Sequence, residues 1–226
     1  MVEAAPTYDF LAELFASYGL MPRGGFHPSP EDGVPGDPQT LILVGNAGPD
    51  MWNAFSQMPF NLPNALDHWS KCAIDAVATA TGGIAIYPFG VPPFLPFQRW
   101  AVKAEPVAPS PLGILMHPEY GLWHAYRGAL AYFTTIELPP RDERPIPCDT
   151  CEDKPCLSAC PIDAFGADGY DVPSCKAYLE AHLKSDCMAS GCRARRHCPV
   201  GTEYGYVSKQ AAFHMRAFLR AQSEEC

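Results

Sequence analysis

The sequence predicts an α+β fold in two parts, an α+β domain over residues 1–140 and a cofactor-binding domain over residues 141–226. Three observations predict it. In the first 140 residues, runs with apolar positions at helical spacing alternate with short apolar runs bounded by turn residues. The stretch Pro139-Pro-Arg-Asp-Glu-Arg-Pro-Ile-Pro147 is a polar, proline-rich linker that closes the first part. Beyond it, eight of the ten cysteines fall within 51 residues, from Cys148 to Cys198. With 47% apolar and 12% aromatic residues the chain can bury a substantial core. No apolar run approaches the ~20 residues that a membrane-spanning helix needs.

Taken in order, residues 7–19 carry Phe10, Leu11, Leu14, Phe15 and Tyr18 at helical spacing, which predicts an opening amphipathic helix. Met21 to Thr40 is rich in Gly and Pro and reads as an ordered loop or lid holding His27, either a ligand-facing or a plain surface histidine. Gln39 to Gly45 reads as a buried strand, followed by a helix from about Asp50 to Ser56. A second long helix is expected over Pro63 to Ala80, with Leu66, Trp69, Ala73, Ala76, Val77 and Ala80 on one face and Cys72 as a small core residue. Gly83 to Phe89 reads as a strand, Val91 to Pro96 as a proline-rich loop, and Phe97 to Val102 as a short helix. Pro111 to His117 and Trp123 to Leu138 read as two more strands, the latter for its β-branched and aromatic content. A last helix is expected from about Tyr206 to Ala221.

The cysteine region reads Cys148-Asp-Thr-Cys151-Glu-Asp-Lys-Pro-Cys156-Leu-Ser-Ala-Cys160-Pro161, then Cys175, then Cys187-Met-Ala-Ser-Gly-Cys192-Arg-Ala-Arg-Arg-His-Cys198-Pro199. Three closely spaced cysteines and a fourth at Cys-Pro form the bacterial ferredoxin pattern for a [4Fe–4S] cluster, in which the fourth cysteine serves the other cluster. That pattern predicts one ligand set of Cys148, Cys151, Cys156 and Cys198, and a second of Cys160, Cys175, Cys187 and Cys192. The third gap of the first run is four residues rather than two, and the second run is looser. Two other uses compete. Structural zinc would take Cys148, Cys151, Cys156 and Cys160 but leaves the Cys-Pro endings and Cys175 unexplained. Disulfides need an oxidising compartment, and Met1 to Tyr8 is polar and acidic with no apolar run, so a reducing, cytoplasmic setting is expected.

A net charge of −9 argues against a nucleic-acid surface. The basic knot Arg193-Ala-Arg195-Arg196-His197 lies between two expected ligands, and reads as charge compensation beside an anionic cluster, as a docking patch, or as a solvated loop face. No Gly-x-Gly-x-x-Gly loop supports direct use of NAD(P)H, and neither a Ser/His/Asp hydrolase motif nor a His-Glu-x-x-His zinc site is present.

Two stretches resemble known families. Met116-His117-Pro118-Glu-Tyr120-Gly121-Leu-Trp123-His-Ala-Tyr126-Arg127-Gly128, with its Pro-Pro exit at Pro139, resembles the cobalamin-processing CblC family. Pro88-Phe89 and Phe26-His27-Pro28 fit that family more loosely. The resemblance implies a flavin-reductase-like or nitroreductase-like α+β domain that holds cobalamin base-off, with His117, Tyr120, Trp123, Tyr126 and Arg127 lining the corrin site. The region Cys148 to Pro199, including Cys175-Lys-Ala-Tyr-Leu179, is similar to the ferredoxin-like double-cluster domain of epoxyqueuosine reductases. The catalytic-domain motifs of that family are not visible in residues 1–140.

Together the resemblances imply an iron–sulfur oxidoreductase with two [4Fe–4S] clusters that acts on a corrinoid, by reduction or by reductive removal of its upper ligand. An electron-donor protein would be its partner. Two further functions stand beside it: a ferredoxin-like electron carrier without corrinoid, and a reductase holding FMN.

Overall fold

The computed structural model describes residues 5–58, 64–167 and 169–224; the expected helix start at Pro63 and the last cysteine, Cys226, lie outside them. The chain mixes helices with a small antiparallel sheet, as an α+β fold requires. It divides into two compact units. One takes the residues through Pro106 together with His124–Arg144, and the other takes Val107–Trp123 with Pro145 onward. The sequence places residues 107–123 in the N-terminal domain, whereas these residues pack within the second unit.

Helix α1 (Tyr8–Ala16) begins at Thr7, whose hydroxyl accepts the Phe10 N–H at 3.1 Å. Strand β1 (Met21–Phe26) corrects the expected loop. Its Pro and Gly residues disfavour a strand, but pairing with β2 (Thr40–Ala47) overrides that weak local preference. The register shifts between Pro22 and Gly25, and Gly24 sits there at φ +65, a backbone conformation that glycine adopts without strain. Leu41, Ile42, Leu43 and Val44 of β2 are all fully buried. Successive side chains point to opposite faces, so β2 is covered on both.

Helix α2 (Asp50–Phe55) and helix α3 (Ala65–Thr81) follow. The buried stripe of α3 is Leu66, Ser70, Ala73, Ile74, Val77 and Ala78. It is rotated from the expected face, leaving Ala76, Ala80 and Cys72 exposed. The core assignment of Cys72 is therefore corrected: it lies off the i, i+4, i+7, i+8 stripe, with its sulfur 3.8 Å from His68 Nε2. Strand β3 (Ile84–Ile86) and helix α4 (Phe97–Ala104) come next.

The second unit's first segment holds β4 (Ala108–Pro109) and β5 (Leu115–Met116), a two-residue pairing where a seven-residue strand is expected. Strand β6 (His124–Tyr132) then completes the first unit's sheet, in the order β1-β2-β6-β3 with every pair antiparallel. Val44 pairs with Gly128 and Gly45 with Tyr126, so Arg127 is the extra residue of a bulge. A Cβ on Gly45 would stand 2.1 Å from the Ala125 carbonyl oxygen, which is why only glycine fits beside the bulge.

The rest of the second unit is built of short elements: α5 (Pro155–Ser158), the hairpin of β7 (Phe165–Gly166) and β8 (Gly169–Tyr170), α6 (Val172–Ala181), α7 (Asp186–Ser190), α8 (Arg193–Arg196) and the long α9 (Ser208–Glu224). Leu179, Cys187 and Met188 are buried against Met215, Phe218 and Leu219 of α9. Leu112, Met116 and Leu122 share a second apolar cluster with Ala194 and Cys198, which ties residues 107–123 to the cysteine region. Among the described residues, no helix is long and apolar enough to cross a membrane.

Candidate functional site

The eight clustered cysteines lie on turns and helix ends of the second unit. Cys148 sits in a single 3-10 turn, Cys151 just past it, and Cys156 on α5, with Cys160 two residues beyond that helix. Cys175 is in the first two turns of α6, Cys187 is in α7, Cys192 precedes α8 and Cys198 follows it. Because α5 packs on α8, the start of the first cysteine run meets the end of the last one. Cys148, Cys151, Cys156 and Cys198 line one cavity. Cys160, Cys175, Cys187 and Cys192 line another. The two groups coincide with the two expected ligand sets.

The spaces differ in size, about 20 Å³ for the first and about 250 Å³ for the second. Leu112, Met116, Leu122 and Val200 close in on the first, while the second is walled by larger side chains such as Phe165, Tyr170 and Phe218. The loop from Cys148 to Cys156 must therefore yield for the first set to take in a polyatomic centre.

Burial and crowding disfavour charge on these sulfurs. Burial, with the nearby Cys198, Cys156 and Cys151, pushes the Cys148 thiol up to about 11. Burial likewise raises Cys156, Cys175, Cys192 and Cys198, each with neighbouring cysteines adding to the effect. Four thiolates in one cavity would repel one another, so each set stays neutral unless a cationic group enters. Backbone N–H groups already point at the sulfurs: those of Cys156 and Leu157 at Cys156, Ala194 and Arg195 at Cys192, and Val200 at Cys198. The Ala164 N–H reaches the Cys160 sulfur at 3.4 Å.

Among the described residues, no group of three or more His, Cys, Asp or Glu side chains is arranged to hold a metal ion. All nine described cysteines are free thiols.

Cations stand near both sets. Lys154 lines the first cavity, and Arg193 and Arg195 line the second. Arg195 is held firmly, between the rings of Trp123 at 4.8 Å and Tyr206 at 4.6 Å, with Nε donating to the Leu122 carbonyl at 3.1 Å and Nη2 donating to the same oxygen. The basic knot is thus a helix with an ordered, half-buried arginine rather than a loop face.

The residues expected to line a corrin site are split between the units. In the second unit, His117 is buried, its Nδ1 accepting the N–H groups of Glu119 at 3.0 Å and Tyr120 at 3.2 Å. The Tyr120 ring stacks on His117 at 4.3 Å and meets Tyr204 edge-on at 4.9 Å, while Trp123 packs against Tyr206 at 5.5 Å. In the first unit, Tyr126 donates to Glu105 at 2.6 Å, and Arg127 Nε donates to Asn46 Oδ1 at 3.3 Å. Burial and the Glu105 carboxylate hold the Tyr126 phenol well above its usual range. His27 is exposed, with Nδ1 3.0 Å from the Gln39 carbonyl oxygen.

Sequence reasoning did not single out Tyr170, which lines the second cavity with Cys160, Cys175, Cys187 and Cys192. Its only signal is an aromatic on each side of a Gly-containing turn, Phe165 and Tyr170. No protein-family model matches this chain, and no curated protein is similar to it.

Proposed function

We propose that this chain is an iron–sulfur oxidoreductase that passes single electrons, with a corrinoid as the acceptor. The observation that carries the electron-transfer part is the sorting of eight cysteines into two cavities of four. In this reading Cys148, Cys151, Cys156 and Cys198 hold one [4Fe–4S] cluster, and Cys160, Cys175, Cys187 and Cys192 hold the other. A bound [4Fe–4S] cluster supplies one-electron transfer at a potential set by net charge, hydrogen bonds to sulfur and solvent exposure.

The chain's own residues supply what such a centre needs. The cysteines bind it, and the N–H groups at Cys156, Cys160, Cys192 and Cys198 stabilise thiolate charge. Leu112, Met116 and Leu122 keep water from the first set, and Leu179, Met215 and Phe218 wall the second. Lys154, Arg193 and Arg195 offset the anionic charge. The ferredoxin-like identity of the second unit and the flavin-reductase-like or nitroreductase-like identity of the first belong to this proposal.

The corrinoid part rests on the resemblance of Met116 to Gly128, and one structural observation favours a ligand there. Trp123 is only 6% exposed, and its indole N–H has no acceptor among the described residues. A buried donor without a partner costs about 1–3 kcal/mol, which a ligand carbonyl or amide oxygen would offset.

The experiment is an absorption titration of anaerobically purified protein with hydroxocobalamin and methylcobalamin, alongside iron and sulfide analysis. About eight iron per chain with a base-on to base-off shift at stoichiometric protein is the expected result. Eight iron without the shift would leave a ferredoxin-like carrier, and tightly bound FMN would favour the flavin reductase.

A further inference from the structure

We propose that Tyr170 sets the redox behaviour of the centre held by Cys160, Cys175, Cys187 and Cys192, its phenol hydroxyl donating a hydrogen bond to the Cys175 sulfur. The inference rests on the two-cluster reading and deepens it by assigning one side chain to one centre.

The placement begins with the hairpin of β7 and β8, where Phe165 pairs with Tyr170 and Gly166 with Gly169. The Tyr170 ring stacks on Phe165 at 4.6 Å and 18°, and on its other neighbour, Phe218 of α9, at 6.4 Å and 26°. Two aromatic contacts leave the ring little freedom, so the hydroxyl is aimed by the packing rather than by its own torsion. Immediately after Tyr170, Asp171 caps α6: its carboxylate accepts the Ser174 N–H at 2.9 Å and its carbonyl accepts the Cys175 N–H at 3.1 Å. That cap fixes the distance along the chain between the phenol and the thiol. Tyr170 and all four cysteines of this set line the same cavity, which puts the clamped phenol on the same wall as the Cys175 thiol.

Adding one electron to an iron–sulfur centre raises the negative charge shared by its thiolates. A fixed O–H donor stabilises the reduced form more than the oxidised form, and so raises the reduction potential. In the first set the Cys156 and Cys198 sulfurs have backbone N–H donors, which no side-chain substitution removes. Tyr170 therefore acts on one centre alone, and makes the two potentials separable by a single oxygen atom.

Tyr170→Phe removes the hydroxyl and keeps the ring stack. The test compares it with the unaltered protein by iron and sulfide analysis and by redox titration followed by EPR, with each sample also prepared in D2O. Equal iron content, one midpoint moved to a more negative potential, the other unmoved, and loss of an exchangeable-proton coupling from the shifted signal are expected. Two full clusters with no midpoint change, or with both midpoints moved together, would overturn the assignment. So would loss of one cluster from Tyr170→Phe, which would make the hydroxyl a requirement of assembly. An unaltered protein without iron would instead bring down the two-cluster reading itself.

Discussion

Cys156 lies on α5 and Cys160 two residues past its end, four positions apart, yet they line different cavities, Cys156 with Cys198 and Cys160 with Cys175. One short segment thus serves two sites. The account predicts complementary losses from neighbouring substitutions. Cys156→Ser should remove one EPR signal and about half of the iron, and Cys160→Ser should remove the other signal with a similar loss. Loss of the same signal from both variants would show a single shared centre.

Gly121 and Gly201 interlock the His117–Gly121 turn with the exit of the last cysteine run. Gly121 has φ +56, and a Cβ there would stand 2.1 Å from the Val200 carbonyl oxygen. A Cβ on Gly201, at φ +66, would meet Tyr120 backbone carbon at 2.5 Å. Gly121→Ala should destabilise the second unit by more than about 1 kcal/mol, through both left-handed strain and the clash. It should also speed loss of iron to a chelator, measured by the decay of visible absorption. An unchanged decay rate would separate this packing from the cysteine sites.

Arg23 is 1% exposed and pairs with Glu105 through two bonds, Nε to Oε1 at 2.9 Å and Nη2 to Oε2 at 2.8 Å. Its Nη1 donates to the Asn46 carbonyl at 3.1 Å, and the Tyr126 hydroxyl adds a further bond to Glu105. Arg23→Met leaves the Glu105 carboxylate buried without its partner and should cost about 3–5 kcal/mol in urea unfolding. The double variant Arg23→Met with Glu105→Met should recover a large part of that loss, because it removes both charges. A double variant as unstable as the single one would contradict this.

Burial holds the Asp67 carboxyl above its ordinary 3.8, and the charge of Arg127 pulls it partly back. A carboxyl with a raised folded pKa favours folding while protonated. Its contribution is fully present below pH 3.8 and is lost as pH rises through the raised folded value. Asp67→Asn should therefore gain stability relative to the unaltered chain as pH rises to 7. Arg127→Met should push the Asp67 carboxyl higher still, read by its NMR titration. An unmoved Asp67 titration in Arg127→Met would show that Arg127 does not act on it, and would free Arg127 for another role.

Much of the architecture is legible in the sequence where the signal is local. The 3.6-residue periodicity of α1, α3 and α9 and the apolar run of β2 announce their elements, because each buries one stripe or two faces. Cysteine spacing and the two Cys-Pro endings likewise anticipate which sulfurs share a cavity. What is not legible depends on partners distant in sequence. β1 carries Pro22, Gly24 and Gly25 and becomes a strand only by pairing with β2. The stripe of α3 turns toward Ser70, Ile74 and Ala78, so Cys72 faces outward, a rotation of the helix that apolar counting does not fix. Residues 107–123 join the second unit through Gly121 and Gly201, two glycines 80 positions apart. Tyr170 joins the second cavity through a hairpin whose strands are two residues long, too short to leave a pattern.

The most direct measurement is the iron content and EPR spectrum of Cys198→Ala, purified without oxygen. In sequence Cys198 belongs to the last cysteine run, whereas in space it lines the cavity of Cys148, Cys151 and Cys156. The account predicts loss of the cluster disturbed by Cys148→Ala, with the cluster disturbed by Cys187→Ala left intact. Loss of the Cys187-dependent cluster instead, with the Cys148-dependent one unaffected, would contradict it.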